Sequence, residues 1–76
     1  MEDLLNRIVI RPDVMAGKPV IRDTRITVDL VLRPLSRGMK PEEIAKDYNI
    51  EVKDVYAALL YAVKVLGREE ITFAEA

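Results

Sequence analysis

Among its 76 residues the chain has no Cys, no His, no Trp and no Gln, and only one Phe. Without Cys there is no disulfide to reinforce a small core, no thiol nucleophile and no thiolate ligand for a metal. Without His there is no imidazole to act as a general base near neutral pH or as a nitrogen ligand. With three Gly in all, a Gly-rich phosphate loop is excluded as well; Gly17-Lys18-Pro19 lacks the spacing of a P-loop. Asp13 and Asp23 are a conceivable carboxylate pair, but turn positions explain both. The expectation is a non-enzyme with no cofactor and no metal. No apolar run approaches the roughly 20 residues that cross a bilayer. The acidic opening Met1-Glu2-Asp3-Leu4-Leu5 has no signal-like apolar stretch. Together with the missing Cys, this points to a cytoplasmic protein without membrane contact.

What is present is a chain half apolar and one-third charged. Its length allows a single domain, residues 1–76. A domain this small buries a modest share of its surface, and its core supplies only about 3–5 kcal/mol after chain entropy is offset. Association with another chain is the remaining way to enlarge that core, so a homodimer is expected. The net charge of −1 hides an asymmetry. Residues 1–40 carry eight Lys/Arg against five Asp/Glu, and residues 41–76 carry four against eight. A phosphate-binding surface, if there is one, belongs to the first half.

Local patterns divide the chain. Residues 7–27 read as short strands and a hairpin. Ile8-Val9-Ile10 is β-branched and flanked by Arg7 and Arg11, and Pro12 cannot extend its ladder. Val20-Ile21-Arg22 and Arg25-Ile26-Thr27 flank a tight turn at Asp23-Thr24, where Asp tolerates a positive φ. Residues 28–37 read as a helix capped by Thr27, favoured by Asp29 in its first turn and ended by Gly38. Pro34 conflicts with it, because an internal Pro removes a hydrogen bond and clashes with the preceding turn; a kink or break near residues 30–34 is expected. A short helix over about 41–47 starts at Pro41 and ends at Asn49, a residue that tolerates the left-handed conformation. The longest helix runs from about 52 to 66, with Gly67 as its C-cap, and residues 68–76 form a tail in which Ile71-Thr72-Phe73 is a short strand or a docking segment.

Residues 41–66 have the grammar of a helix-turn-helix. Ala45 is small where a second helix must approach, Asn49 supplies the turn, and Ile50 and Val55 fill the angle between the helices. An ordinary helical corner explains the same pattern about as well. As a reader of bases the second helix is poor: its first turns offer Glu51, Lys53, Asp54 and Ala57, of which only Lys53 suits phosphate. Glu51 and Asp54 are better explained as charges that complement the helix dipole.

The same helix is apolar nearly all round. Val52, Val55, Tyr56, Leu59, Leu60, Val63 and Leu66 recur at helical spacing and read as the stripe that covers the domain's own core. The opposite side still offers Ala57, Ala58, Tyr61, Ala62 and Val65, and from Val55 to Leu66 the only charge is Lys64. A helix with two apolar faces needs two covers. Ala58, Tyr61, Ala62 and Val65 are therefore the candidate protein interface. Arg7, Arg11, Lys18, Arg22 and Arg25, with Lys53, are the candidate phosphate contacts. Taken singly, each Arg of the strand region is better explained as a solvated charge on a strand edge; it is as a set that these cations suggest binding.

The run from Asp13 to Ile26, with Gly17-Lys18-Pro19, Ile21-Arg22 and Thr24-Arg25-Ile26, resembles the signature of domain-of-unknown-function family 433. Gly38-Met39, Glu42-Glu43-Ile44, Tyr48, Asp54-Val55 and Ala58-Leu59 with Tyr61-Ala62 extend the resemblance over about residues 7–66. It implies a mainly α fold with short N-terminal β-strands, a homeodomain-like or winged-helix-like helix-turn-helix. It further implies an antitoxin-like role: binding and blocking a PIN-like toxin, with operator DNA as a second partner and no catalysis. The family favours Gly where this chain has Asp23, and it continues its helix where this chain has Pro34. Two other readings stay open. One is a stand-alone DNA-binding transcriptional regulator, and the other is a dimeric adaptor that does not bind DNA.

Overall fold

A computed structural model describes residues 3–68. Ile71, Thr72 and Phe73 lie outside that range, so the strand or docking segment expected there is not part of the description. Two strands and three helices follow in order: β1 (Ile8–Ile10), β2 (Pro19–Ile21), α1 (Val28–Ser36), α2 (Pro41–Tyr48) and α3 (Val52–Arg68), with 3-10 turns at Leu4–Arg7 and Met15–Gly17. The fold is mainly helical with a short antiparallel sheet at the N-terminal end, compatible with a small helix-turn-helix fold.

β1 pairs antiparallel with β2, placing Ile8 opposite Ile21 and Val9 opposite Val20. The chain then turns sharply at Asp23, whose φ of 65° is the left-handed conformation expected there. Thr24 holds the turn twice over: its hydroxyl donates to the Ile21 carbonyl at 2.7 Å and accepts from the Ile26 N–H at 2.9 Å. Val20 and Thr27 close it as an isolated bridge. Val20 and Ile21 are buried, which fixes the register of this short ribbon.

Thr27 caps α1 as its sequence position predicts, accepting from the Leu30 N–H at 3.1 Å. Pro34 does not break the helix. α1 passes through it as one element and ends two residues later. The only backbone partner lost is a donor to the Leu30 carbonyl, one turn earlier. Leu30 is exposed, which leaves that side of the helix open to water. Gly38, at φ 96°, then turns the chain out of the helix.

α2 starts on Pro41, and the Glu43 carboxylate accepts from the Lys40 N–H at 3.0 Å. It ends at Asn49, which sits at φ 57°, ψ 46° and donates its N–H back to Ala45 and Lys46. α3 is longer than the sequence suggests. It continues through Gly67 to Arg68, so Gly67 is an internal helical residue and not a cap.

The core lies where the three helices meet. Val28 and Val31 from α1, Ile44 and Ala45 from α2, and Val55 and Ala58 from α3 form one buried cluster. Ile8, Ile50 and Tyr61 pack around it. This arrangement divides the expected faces of α3: Val52 and Val55 cover the core as the spacing predicts, but other positions exchange sides. Ala57 and Ala58, expected to face outward, are completely buried, whereas Tyr56, Val63 and Leu66, expected to cover the core, are 48%, 59% and 60% exposed. Ala45 of α2 and Ala58 of α3 are small members of the same buried cluster, where small side chains permit a close approach of the helices.

Candidate protein and nucleic-acid interfaces

A charge network joins the N-terminal 3-10 turn to the start of α3, beside its corner with α2. Asp54, in the first turn of α3, accepts from the Glu51 backbone N–H at 2.9 Å and so caps its own helix. Its other oxygen accepts from Arg7 Nη1 at 2.9 Å, and the Glu51 carboxylate accepts from the same nitrogen at 2.8 Å. The Arg7 and Asp54 side chains are only 16% and 12% exposed, while that of Glu51 is 70% exposed. The dipole role expected for Glu51 and Asp54 is thus joined by a second one, holding the N-terminal ribbon against the helix-turn-helix. Arg7 was a candidate phosphate contact. Its guanidinium is instead held by two carboxylates and largely covered.

Three of the remaining cations line two recesses that share the Asp23-Thr24 turn. Arg11 and Arg25 line one of them with Val9, Val14 and Val20. Arg22 lines the other with Arg7, Asn49, Ile50, Glu51 and Asp54. Arg22 also donates to the Asn6 carbonyl at 2.9 Å, which steadies it at the recess edge. Lys18 is exposed just before β2 and Lys53 is exposed on the first turn of α3. The structure therefore brings Arg11 with Arg25, and Arg22 with the helix-turn-helix corner, but it gathers no single patch of all six cations.

The four candidate interface residues divide three to one. Tyr61, Ala62 and Val65 line one groove between α1 and α3, together with Pro19, Val28, Leu32 and Leu66; Asp29 at the start of α1 is its one charged wall. The groove is an open recess of about 420 Å³. Ala58 is not among its walls. It is fully buried in the domain's own cluster, so no partner can reach it in the folded chain. Sequence reasoning missed Pro19, Val28, Leu32 and Leu66 as groove walls. Val28 and Leu32 stand four residues apart on α1, a spacing that places them on one helix face, but nothing in the sequence announces that α3 leaves a gap there. Among the described residues no group of three or more acidic side chains is arranged to hold a metal ion, and no helix is long and apolar enough to cross a membrane.

The chain matches no curated protein and no solved structure. A family model does match it, over residues 8–62, which includes both strands, α1, α2 and the first two-thirds of α3. The match takes in the Asp23-Thr24 turn, the Asn49 corner and all of the buried cluster, and on that evidence the chain belongs to the family described as protein of unknown function (DUF433).

Proposed function

We propose that this protein is an antitoxin-like binding module that works as a homodimer, docks a PIN-like toxin in the groove between α1 and α3, and binds operator DNA as a secondary activity. The observation that carries the reading is the groove itself. Tyr61, Ala62 and Val65 stand with Pro19, Val28 and Leu32 around an open apolar recess with a single carboxylate on its wall. Concave apolar surfaces with a few polar groups are the usual form of a docking site. An inhibitor needs no catalytic group of its own. It needs a rigid surface whose shape excludes water against its target. Here α1 and α3 share one buried cluster through Val28, Val31, Val55 and Ala58, and that packing holds the two walls of the groove together.

The test is direct. The product of an adjacent PIN-like gene is purified alone and with this protein, and its ribonuclease activity is measured. The expected result is a stable complex with suppressed ribonuclease activity, lost on Val65→Glu and retained on Lys53→Ala. Full ribonuclease activity in the presence of excess wild-type protein would sink the reading.

One observation favours the stand-alone regulator as a second reading. The recess that holds Arg22 opens at the helix-turn-helix corner, so a cation stands beside the segment that would approach DNA. Against it, the exposed Glu51 stands at the front of α3 and would repel phosphates. Binding to the protein's own upstream DNA, steeply weakened by salt, would favour the regulator; an absence of binding at about 50 mM salt would remove it.

A further inference from the structure

Arg11 and Arg25 stand over the valine floor of one recess, formed by Val9, Val14 and Val20. Elsewhere Arg7 and Arg33 are held by carboxylates and Arg22 by a carbonyl. Among the described residues Arg11, Arg25 and the nearby Lys18 make no ion pair and no side-chain hydrogen bond. Asp23 also lines the recess and offsets one of its two arginines, which leaves a positive excess. The Thr24 hydroxyl on the same wall is occupied within its own turn. The recess at the helix-turn-helix corner has more carboxylates than cations, and the α1–α3 groove has a carboxylate and no cation. Of the three, the Arg11–Arg25 recess is the one that attracts an anion.

The chain carries such an anion a short way off. Residues 69–76, which follow directly on α3 and lie outside the described residues, hold Glu69, Glu70 and Glu75 and no cation. Near the end of α3, Val65 and Leu66 share a groove with Pro19. Pro19 is paired with Ile10, so Arg11 and Lys18 are the next residues beyond that pair. The sheet has two strands, and β1 carries no third strand on its outer edge. A segment leaving α3 can pass that edge to the face that bears the recess. Eight extended residues reach up to about 26 Å, well beyond the roughly 10 Å that one packed sheet layer occupies.

We propose that the acidic segment 69–76 docks on this face of its own chain, with its carboxylates on Arg11, Lys18 and Arg25 and with Ile71 and Phe73 against Val9 and Val14. Alternation places Ile71 and Phe73 on one side of an extended segment, and Val9 and Val14 are half-buried and leave apolar surface for them. Attachment favours this occupant over a separate acidic peptide, because a short tether holds it at an effective concentration in the millimolar range. The α1–α3 groove is nearer to the end of α3, but it offers the carboxylates no cation. The inference does not rest on the toxin reading. It leaves the groove open, and it takes Arg11, Lys18 and Arg25 out of the set that would meet phosphate.

The experiment compares amide NMR spectra of the full chain with those of a full-length variant that combines Glu69→Gln, Glu70→Gln and Glu75→Gln. Length and core are kept, so the fold is not put at risk. Chemical-shift differences are expected at residues 9–11, 18–20 and 23–25. They should shrink toward zero at roughly 1 M salt, where the Debye length falls to about 3 Å. Introduced on an Arg11→Glu, Arg25→Glu background, the same three changes should leave residues 9–11 and 18–20 unmoved. A roughly tenfold dilution should preserve the pattern, because the contact lies within one chain. Differences confined to residues 64–76, or centred on Leu32, Tyr61, Ala62 and Val65 of the groove, overturn the inference. A pattern that fades on dilution overturns it too, by assigning the segment to a second copy. None of these outcomes bears on toxin inhibition, which is read from Val65→Glu.

Discussion

Arg7 and Asp54 lie 47 residues apart in sequence and meet at 2.9 Å, nearly covered by the chain around them. The pair ties the first 3-10 turn to the start of α3. Asp54 also caps its helix, so a single carboxylate serves two unrelated contacts. Asp54→Ala is expected to remove the cap and leave the Arg7 charge with Glu51 as its remaining carboxylate. The cost should be about 2–3 kcal/mol, below the 3–5 typical of a fully buried pair because water still reaches this one. Such a loss is most of what a domain this small has. Urea unfolding of this variant beside wild type checks it. Arg7→Met with Asp54→Leu should cost less than the two single changes added together, because the double change leaves no charge behind.

The same geometry makes a prediction about DNA. Since Arg7 is already held by two carboxylates, Arg7→Met should leave the salt slope of any DNA binding unchanged. Arg22→Ala, Arg25→Ala and Lys53→Ala should each reduce that log–log slope by about one if they meet phosphates. Fluorescence anisotropy at several salt concentrations measures this, and a reduced slope in Arg7→Met alone would contradict the assignment.

Much of the fold was legible because local chemistry and tertiary need agree at particular residues. Thr27 and Asn49 are a cap and a stop by their own side chains and backbone tolerance, and Ile8-Val9-Ile10 is β-branched. The faces of α3 were not legible. Both are apolar, and periodicity reports that a face exists without saying which neighbour covers it. Larger side chains carry more apolar area, so Tyr56, Val63 and Leu66 looked like core. The side of α3 that turns inward instead carries Val55 with the small Ala57 and Ala58. For the same reason Ala58 was misplaced at an interface, while Tyr61, Ala62 and Val65 reached an open groove. Pro34 misled for a different reason. Its missing donor falls in the last turn of α1, near a side that water reaches, where the helix tolerates it.

Ala58 gives the sharpest check on which side of α3 turns inward. Adding bulk at a site with no exposure forces neighbouring side chains out of their preferred rotamers. Ala58→Leu should therefore lower stability by about 1–3 kcal/mol. Ala62→Leu, on the groove wall, should change stability little and alter partner binding instead. Thermal melts of both variants decide between the faces. Equal and small effects would return Ala58 to the surface.

Asn49 tests the corner itself. Its φ of 57° is a conformation that costs an ordinary side chain roughly 1 kcal/mol and costs glycine nothing. Asn49→Ala should therefore destabilise the domain by about 1 kcal/mol, and Asn49→Gly should be neutral within a few tenths, because the strain relieved offsets the extra freedom of the unfolded chain. If the turn governs how α3 is presented, both variants should hold a partner as tightly as wild type once folded, since Asn49 is not a groove wall. Calorimetric unfolding measures the first effect and titration of the partner the second. If Asn49→Ala and Asn49→Gly lost stability equally, the left-handed corner could not be the reason Asn stands at that position.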